Sequence, residues 1–298
     1  MKRFLIRTAL FALIVALALG AGEWVVRRSG NPYRLKKEYM DAHAADIVTL
    51  ILGHSQTYYG IDPAALDSAF NLAMVSQSPA IDSMLLARYA PSLVSLRHVV
   101  IPVTYPSLLE ADLEERDEWW RLINYRLYMD LPIGGVLSPY SAELCHLPSY
   151  AGKLGAALGL TKSRFLTDSL GHGDEYAVLY KAAGTADGAT IARLHTASLS
   201  ADRLDINTRR LMAIDSICRS LGARLIVVTP PVREDYRRNI DPALWELTRE
   251  RLRSLPLEWH DFSDDPRFGG DDFFDGDHLT SDIGAARFTA IIDSIISR

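Results

Sequence analysis

The sequence predicts an α/β fold built on a parallel sheet, because short apolar runs rich in β-branched residues alternate with segments of helical periodicity. Continuous apolar runs are typical of strands that are buried on both faces of a sheet. Five runs meet this description: Ile47 to Leu52, Phe70 to Val75, His98 to Val103, Arg224 to Thr229, and Leu257 to Phe262. We therefore expect an α/β core with five strands.

The segments between these runs are typical of helices. Ile81 to Tyr89 is one, and Arg203 to Leu221 is another, since its apolar residues recur every three or four positions before a stop at Gly222. Ser281 is expected to open the last helix, which places four apolar residues on one face: Phe288, Ile291, Ile292 and Ile295. Helices that alternate with strands in this way cover the faces of a parallel sheet.

A long segment between the third and fourth strands, from Pro106 to about Asp202, interrupts this alternation. We interpret 106–202 as a largely helical insertion that lies over the carboxyl ends of the strands, where open α/β sheets bind ligands. Its expected role is substrate selection or contact with a partner.

The amino terminus has the composition of a membrane segment. Lys2, Arg3 and Arg7 precede or open an apolar run, and Thr8 to Val26 would form a helix roughly 28 Å long, about one hydrocarbon thickness. We expect residues 1–26 to be a membrane anchor. A cleaved signal peptide is the alternative, because the uninterrupted apolar stretch is short and ends in small residues.

Both interpretations of the amino terminus place the rest of the chain across the membrane. A basic, polar linker is expected over 27–45, followed by the main domain over 46–298. The basic residues of the linker run against a simple positive-inside count: Arg27, Arg28, Arg34, Lys36 and Lys37.

Composition excludes some classes of protein. With 298 residues, of which 48% are hydrophobic and 23% charged, the chain can bury a full core. A formal charge of -5 gives no basic footprint for nucleic acid. Cys145 and Cys218 are too few for a disulfide framework and lack metal-ligand spacing, although they could pair in an oxidising compartment.

A serine follows the first predicted strand in the stretch LILGHSQTYYG. Gly53-His54-Ser55-Gln56 is close to the nucleophile elbow of α/β-hydrolases, but Thr57 stands where that elbow requires glycine. Ser55 is therefore either a nucleophile in another fold or a residue that caps the following helix.

A base and a carboxylate stand near the carboxyl terminus, in FFDGDHLTSDIGAARF. A nucleophilic serine requires a base to take its proton and a carboxylate to orient that base. Asp275 and His278 could supply both from one loop, because a turn folds the carboxylate back onto the ring. Asp277 is the competing carboxylate, ranked second because we expect its side chain to point elsewhere.

A serine after the first strand and a D-x-x-H at the end of the chain resemble the SGNH or GDSL hydrolase superfamily. The segments ILGHSQTYYGIDP, FNLAMVSQS, HVVIPVTYPSL and FFDGDHLTSDIGAARF are most similar to its membrane-anchored branch, which includes alginate O-acetylation and teichoic acid D-alanylation proteins. The resemblance implies a flavodoxin-like three-layer sandwich with a catalytic triad of Ser55, His278 and Asp275.

The same resemblance implies a function outside the membrane. It points to a serine esterase or O-acyltransferase that acts on acyl esters of cell-envelope glycans or related polymers, with a membrane-bound acyltransferase as a possible partner. The globular domain would lie on the periplasmic side, or be secreted if the amino-terminal segment is cleaved. A second hypothesis is a catalytically weak, membrane-tethered accessory protein.

The expected oxyanion donors depart from the family pattern. His54 replaces the aspartate of the first block, and Ser76 falls where the second block has glycine. The third block has Thr104-Tyr105-Pro106 and no asparagine, so one donor worth about 3 kcal/mol is missing or is replaced by Tyr105 or Gln77.

We expect no cofactor and no metal. The acidic cluster near the carboxyl terminus misses the spacing of the acidic calcium loop: Asp271, Asp272, Asp275 and Asp277.

Overall fold

The computed structural model of the protein describes residues 1–161, 167–173 and 187–298. The chain forms two compact units. The first, the anchor unit, comprises Met1–Leu35 and Asp117–Phe165, and the second, the sheet unit, comprises Lys36–Arg116 and Leu166–Arg298. The predicted insertion at 106–202 is divided between the two units, and its residues 162–166 and 174–186 lie outside the described part of the chain.

The sheet unit contains five parallel strands in the order β2-β1-β3-β4-β5. Each strand falls within or beside one of the five apolar runs, so the predicted α/β core with five strands is confirmed. Their bounds are β1 Thr49–Ile51, β2 Ala69–Asn71, β3 His98–Pro102, β4 Arg224–Thr229 and β5 Glu258–Asp261.

Eleven α-helices occur in the described residues. They are α1 Lys2–Arg28, α2 Pro32–His43, α3 Ser55–Gly60, α4 Pro79–Tyr89, α5 Leu122–Tyr128, α6 Leu147–Ala157, α7 Gly188–Ala197, α8 Leu204–Ser220, α9 Glu234–Arg237, α10 Pro242–Ser254 and α11 Gly284–Ile296. Helices α4 and α8 pack together, and α8 also packs on β4. The last helix packs against α3.

The core beneath α11 follows from the register of the sheet. Ile51 pairs with Val100, which pairs with Ile226, so these three side chains lie in a row on one face. Phe288 and Ile292 of α11 pack into the same cluster and are fully buried. Burial of such side chains contributes about 1.5–3 kcal/mol each, which fixes the helix that follows the D-x-x-H loop.

Two predicted boundaries differ from the structure by three or more residues. The last helix begins at Gly284 rather than Ser281, because the Thr280 hydroxyl accepts a hydrogen bond from the Gly284 amide at 3.0 Å and ends the preceding turn. Strand β2 ends at Asn71, whose side-chain amide donates to the carbonyl oxygens of Thr57 and Ile61 at 2.9 and 3.1 Å. The chain leaves the sheet there instead of continuing to Val75.

The residues expected to be a linker, 27–45, contain helix α2. Its residues Tyr33, Lys36 and Met40 are buried and recur at helical spacing. The Lys36 ammonium donates to the carbonyl oxygen of Ala73 and lies 4.5 Å from the centre of the Tyr58 ring. A charged residue at a buried position hid this periodicity in the sequence.

The anchor unit contains α1, whose mean hydropathy of 2.3 over an 18-residue window and 27-residue length suffice to cross a membrane. Among the described residues it is the one helix of that kind. Its last turns are folded against the unit: the Glu23 carboxylate accepts hydrogen bonds from the amides of Glu143 and Leu144 at 3.0 and 3.1 Å. Val26 is buried.

Candidate functional site

The turn between β1 and α3 depends on Gly53. Its φ of +105° favours glycine, and a Cβ atom there would lie 2.1 Å from Cδ of Pro102 at the end of β3. The Gly53 amide donates to the Asp82 carboxylate at 2.8 Å. The turn therefore brings the start of α3, with Ser55, close to the end of the neighbouring strand.

His54, rather than Ser55, caps helix α3. Its Nδ1 accepts a hydrogen bond from the Gln56 amide at 3.4 Å, and its Nε2 lies 3.3 Å from the Thr104 hydroxyl and 3.4 Å from the Ser107 hydroxyl. Because Nδ1 accepts, we assign the proton of the neutral ring to Nε2. The ring thus joins helix α3 to the loop after β3, and the alternative of Ser55 as the cap is wrong.

Desolvation, reinforced by the positive charge that His278 can carry, lowers the pKa of His54 to about 3. The ring is therefore neutral near neutral pH and acts as a hydrogen-bonding group. Thr57 supports the same turn, since its hydroxyl lies 2.8 Å from the Leu52 carbonyl oxygen and 3.1 Å from that of His54.

The D-x-x-H loop folds back on itself. Oδ1 of Asp275 accepts hydrogen bonds from the amides of Asp277 and His278 at 3.0 and 2.9 Å. A Cβ atom on Gly276 would lie 2.7 Å from Cα of Gly188, so a larger residue there would push against α7. The predicted turn is present, and it holds the carboxylate against the histidine ring.

Ser55, His278 and Asp275 lie together in the structure. Oγ of Ser55 is 2.7 Å from Nε2 of His278, and Nδ1 of the same ring is 3.0 and 3.1 Å from the two carboxylate oxygens of Asp275. The His278 and Asp275 side chains are 15% and 11% exposed. In this arrangement the carboxylate can keep the proton of the ring on Nδ1, which leaves Nε2 able to accept the serine proton.

Asp277 also faces the histidine, contrary to the expectation that its side chain points elsewhere. Its Oδ1 lies 3.3 Å from Nδ1 of His278 but makes no hydrogen bond to any described residue. Burial opposes ionisation of this carboxyl, yet the charge of the adjacent His278 outweighs burial and holds its pKa below the usual range. The shorter contacts to Nδ1 belong to Asp275.

Ser76 has the backbone conformation that a glycine would adopt easily, with φ of 60°. Its carbonyl oxygen accepts a hydrogen bond from Nη2 of Arg116 at 2.8 Å, and Arg116 also pairs with Glu110 at 2.6 Å. The guanidinium holds this left-handed residue in place from the carbonyl side.

The side chains of Gln77 and Tyr105, the expected replacements for the missing donor, make hydrogen bonds within the protein. The Gln77 amide donates to the Asp82 carboxylate at 2.7 Å and lies 3.5 Å from the Leu72 carbonyl oxygen. The hydroxyl of Thr196 donates to the Ala192 carbonyl oxygen, so the Tyr105 hydroxyl, 2.9 Å away, donates its one proton to Thr196. Both side chains are thus engaged by other groups of the protein, and their role as oxyanion donors stays a prediction.

Several residues of the site were missed in the sequence. Gln56 is buried and donates to the Asp277 carbonyl oxygen at 2.7 Å, and its position next to Ser55 was the available signal. His195 lies near enough to lower the pKa of both His54 and Asp277, and its Nδ1 is 2.8 Å from the Tyr236 hydroxyl. No spacing rule points to His195, because α7 is distant in sequence from the other site residues.

A cavity of about 20 Å³ lies beside Gln56, with room for about one water molecule. Its lining includes Thr104, Tyr105, Thr229, Tyr236 and Trp245.

Within the described part of the chain, two groups of residues have ligand atoms close enough for a metal ion, within 4.8 Å of one another. One is Asp275, Asp277 and His278, whose ring nitrogens already contact Ser55 and Asp275. The other is Asp62, Asp168 and His172. Oδ1 atoms of both of these aspartates accept backbone amides, and Nε2 of His172 is 3.0 Å from the Tyr59 carbonyl oxygen.

Comparison of the chain with protein-family models and with curated proteins finds no match.

Proposed function

We propose that the protein is a serine esterase or O-acyltransferase of SGNH type, acting on acyl esters of cell-envelope glycans or related polymers. The observation that carries the proposal is the chain of contacts from Ser55 Oγ to His278 Nε2, at 2.7 Å, and from His278 Nδ1 to Asp275, at 3.0 Å. A serine, a base and an orienting carboxylate in that order perform acyl transfer on unrelated folds.

The chemistry follows from these contacts. Ser55 Oγ attacks the ester carbonyl while His278 Nε2 takes its proton, and the ring then gives that proton to the departing alcohol oxygen. The acyl group remains on Ser55. Water or a polymer hydroxyl, deprotonated by the same ring, attacks the acyl-enzyme and releases the serine.

The topology supports the superfamily assignment. The strand order 2-1-3-4-5 is that of flavodoxin-like doubly wound sheets, which bind ligands beyond the carboxyl ends of the strands. Ser55 follows β1, and the D-x-x-H loop precedes the last helix, as the resemblance requires.

For localisation we propose a retained anchor with the sheet unit on the extracytoplasmic side. The length and apolarity of α1 support a membrane span. The contacts of Glu23 and Val26 within the anchor unit favour retention of the end of this helix.

Labelling with a fluorophosphonate probe tests the enzymatic proposal. We expect the native chain to be labelled and Ser55→Ala to be unlabelled, because the probe reacts with an activated serine. Ser254→Ala is the matched control, since this exposed hydroxyl bonds only a carbonyl oxygen within α10. Absence of labelling in the native chain, together with no turnover of p-nitrophenyl acetate, would contradict the proposal.

The second candidate is an accessory protein that keeps the fold but has little catalysis. The engagement of Gln77 and Tyr105 elsewhere favours it, because it leaves the missing asparagine unreplaced by either. Loss of one oxyanion donor costs about 3 kcal/mol of transition-state stabilisation, or roughly 10²-fold in rate. Co-purification with a membrane acyltransferase, without labelling at Ser55, would support this candidate.

A further inference from the structure

The anchor unit exposes an unusual amount of apolar surface outside α1. Leu137 and Leu160 are 98% and 76% exposed, and Trp24, at the end of α1, is 58% exposed. Three other large apolar side chains of the unit are also exposed: Val136, Leu147 and Leu158. We call Val136, Leu137, Leu147, Leu158 and Leu160 the apolar rim.

Charge is absent from the two segments that carry most of the apolar rim. Neither 131–142 nor 154–161 contains a charged residue. Lys153, just before the second segment, is turned inward, since its ammonium lies 2.7 Å from the Glu143 carboxylate and 2.6 Å from Oδ1 of Asn124. Large apolar side chains that are exposed without charged neighbours in the chain often mark an interaction site or a membrane contact.

The apolar rim belongs to the same unit as the helix that can cross a membrane. Helix α6 packs directly on α1, where a Cβ atom on Gly22 would collide with the Tyr150 hydroxyl at 1.9 Å. At the same end of α1, the Arg28 guanidinium lies 4.8 Å from the centre of the Trp24 ring. Tryptophan and arginine together are typical of the boundary between hydrocarbon and headgroups.

We propose that the apolar rim is a second membrane contact, in which the end of α6 and the turn at Val136 and Leu137 enter the lipid interface beside α1. A lipid surface fits better than a protein groove, because tryptophan and arginine lie at the end of the predicted span and because apolar side chains without charge partition into the interface. The inference rests on insertion of α1 and is independent of the chemistry at Ser55.

Depth-dependent quenching in vesicles of phosphatidylcholine and phosphatidylglycerol tests this contact on the full chain. Cys145 is exposed and is replaced by serine, whereas Cys218 is buried, which protects it from the dye, and is kept. Single cysteines at Leu137 and at Leu160 are labelled with an environment-sensitive nitrobenzoxadiazole dye. Leu17→Cys, within α1, is the positive control, and Asp117→Cys, an exposed polar position of the same unit, is the negative control.

We expect dyes at 137, 160 and 17 to emit at shorter wavelength and to be quenched by nitroxide lipids, while the dye at 117 is quenched by iodide in water. Quenching by lipid at 17 but not at 137 or 160 overturns the proposal. Absence of lipid quenching at 17 also overturns the proposal, because α1 is then not inserted in the bilayer. Lipid quenching at 117 as strong as at 137 and 160 overturns it too, because the signal then comes from the dye and not from the apolar rim. None of these readouts depends on esterase activity.

Discussion

Two carboxylates compete for Nδ1 of His278, and their contacts assign them different roles. Asp275 accepts from the ring and from two backbone amides, whereas Oδ1 of Asp277 approaches the ring without a hydrogen bond. The orienting role therefore belongs to Asp275, and Asp277 contributes negative charge. Proximity in sequence could not separate them, since both lie within three residues of the histidine.

Replacement of each carboxylate by its amide tests this assignment. We expect Asp275→Asn to lower kcat for ester hydrolysis by about 10²- to 10⁴-fold, because the amide no longer favours the required tautomer. Asp277→Asn should cost much less. Asparagine keeps the acceptor that holds the loop, so both variants should unfold at temperatures close to that of the native chain, which circular dichroism checks.

Asp82, which accepts a hydrogen bond from the turn before Ser55, makes the stability of the protein depend on pH. Burial raises its pKa to about 7, although the Gln77 amide and the Gly53 amide, which donate to it, act in the opposite direction. Between pH 3.8 and about 7 the folded chain binds more protons at this carboxyl than the unfolded chain does. Stability from this group is therefore complete below that range and is lost as pH rises through it.

Asp82→Asn should remove this loss while keeping both acceptor contacts. At about pH 8 we expect the free energy of unfolding of the variant to exceed that of the native chain by at least about 1.4 kcal/mol. This is the free energy that corresponds to a tenfold change in the acid dissociation constant. Urea unfolding at several pH values measures the difference. If the difference in unfolding free energy between the variant and the native chain stays constant from acid to neutral pH, ionisation of Asp82 is not its cause.

At the scale of elements, hydrogen bonds to two different loops hold the short helix α3 in place. His54 caps it and bonds the loop after β3, and Gln56 bonds the loop that carries His278. These contacts fix the position of Ser55. For the proposed reaction this position matters, because a displacement of about 1 Å at a reacting atom can cost 10²-fold in rate.

Substitutions of His54 separate the cap from the link to β3. Asparagine also caps helices well, so His54→Asn should retain stability, while His54→Ala should lose about 1 kcal/mol. Neither side chain replaces the contacts to Thr104 and Ser107, so we expect kcat to fall by about tenfold in both variants. Equal kcat in all three chains would show that the link has no role in positioning Ser55.

The same substitutions change the response to acid. The pKa of His54 is about 3 in the folded chain and 6.5 in its ordinary state, so the unfolded chain binds more protons in that range. Stability from neutral His54 is present above pH 6.5 and is lost as pH falls toward 3. In His54→Asn, the free energy of unfolding should therefore fall less between pH 6.5 and pH 3 than it does in the native chain, and urea unfolding across this range measures the difference.

Much of the sheet unit was predictable from local pattern. Apolar runs located all five strands, since strands buried on both faces need little else in their sequence. The start of the last helix and helix α2 were missed, because a threonine hydroxyl and a buried lysine broke the expected patterns. The closeness of Ser55, His278 and Asp275 was predictable from residue type and order, whereas the engagement of Tyr105 depends on a contact with Thr196, 91 positions away in the chain.

At the scale of the molecule, a carboxylate near the end of α1 helps to hold this helix against the rest of the anchor unit. Glu23 accepts from two amides and pairs with Arg27 at 2.6 Å. We expect Glu23→Ala to destabilise this unit by about 1–3 kcal/mol, because two amides lose their acceptor. Limited proteolysis near residues 143–145 measures it, and Arg27→Ala is a control that leaves both amides bonded.

The contact between Ser55 and His278 joins residues 223 positions apart in the chain. A polypeptide still emerging from a ribosome therefore carries the Ser55 hydroxyl long before His278 has been added to the chain. Any reactivity at that hydroxyl begins only after the final loop and α11 have been synthesised and docked. Under the proposed function, an incomplete chain that is still being exported therefore has no esterase activity.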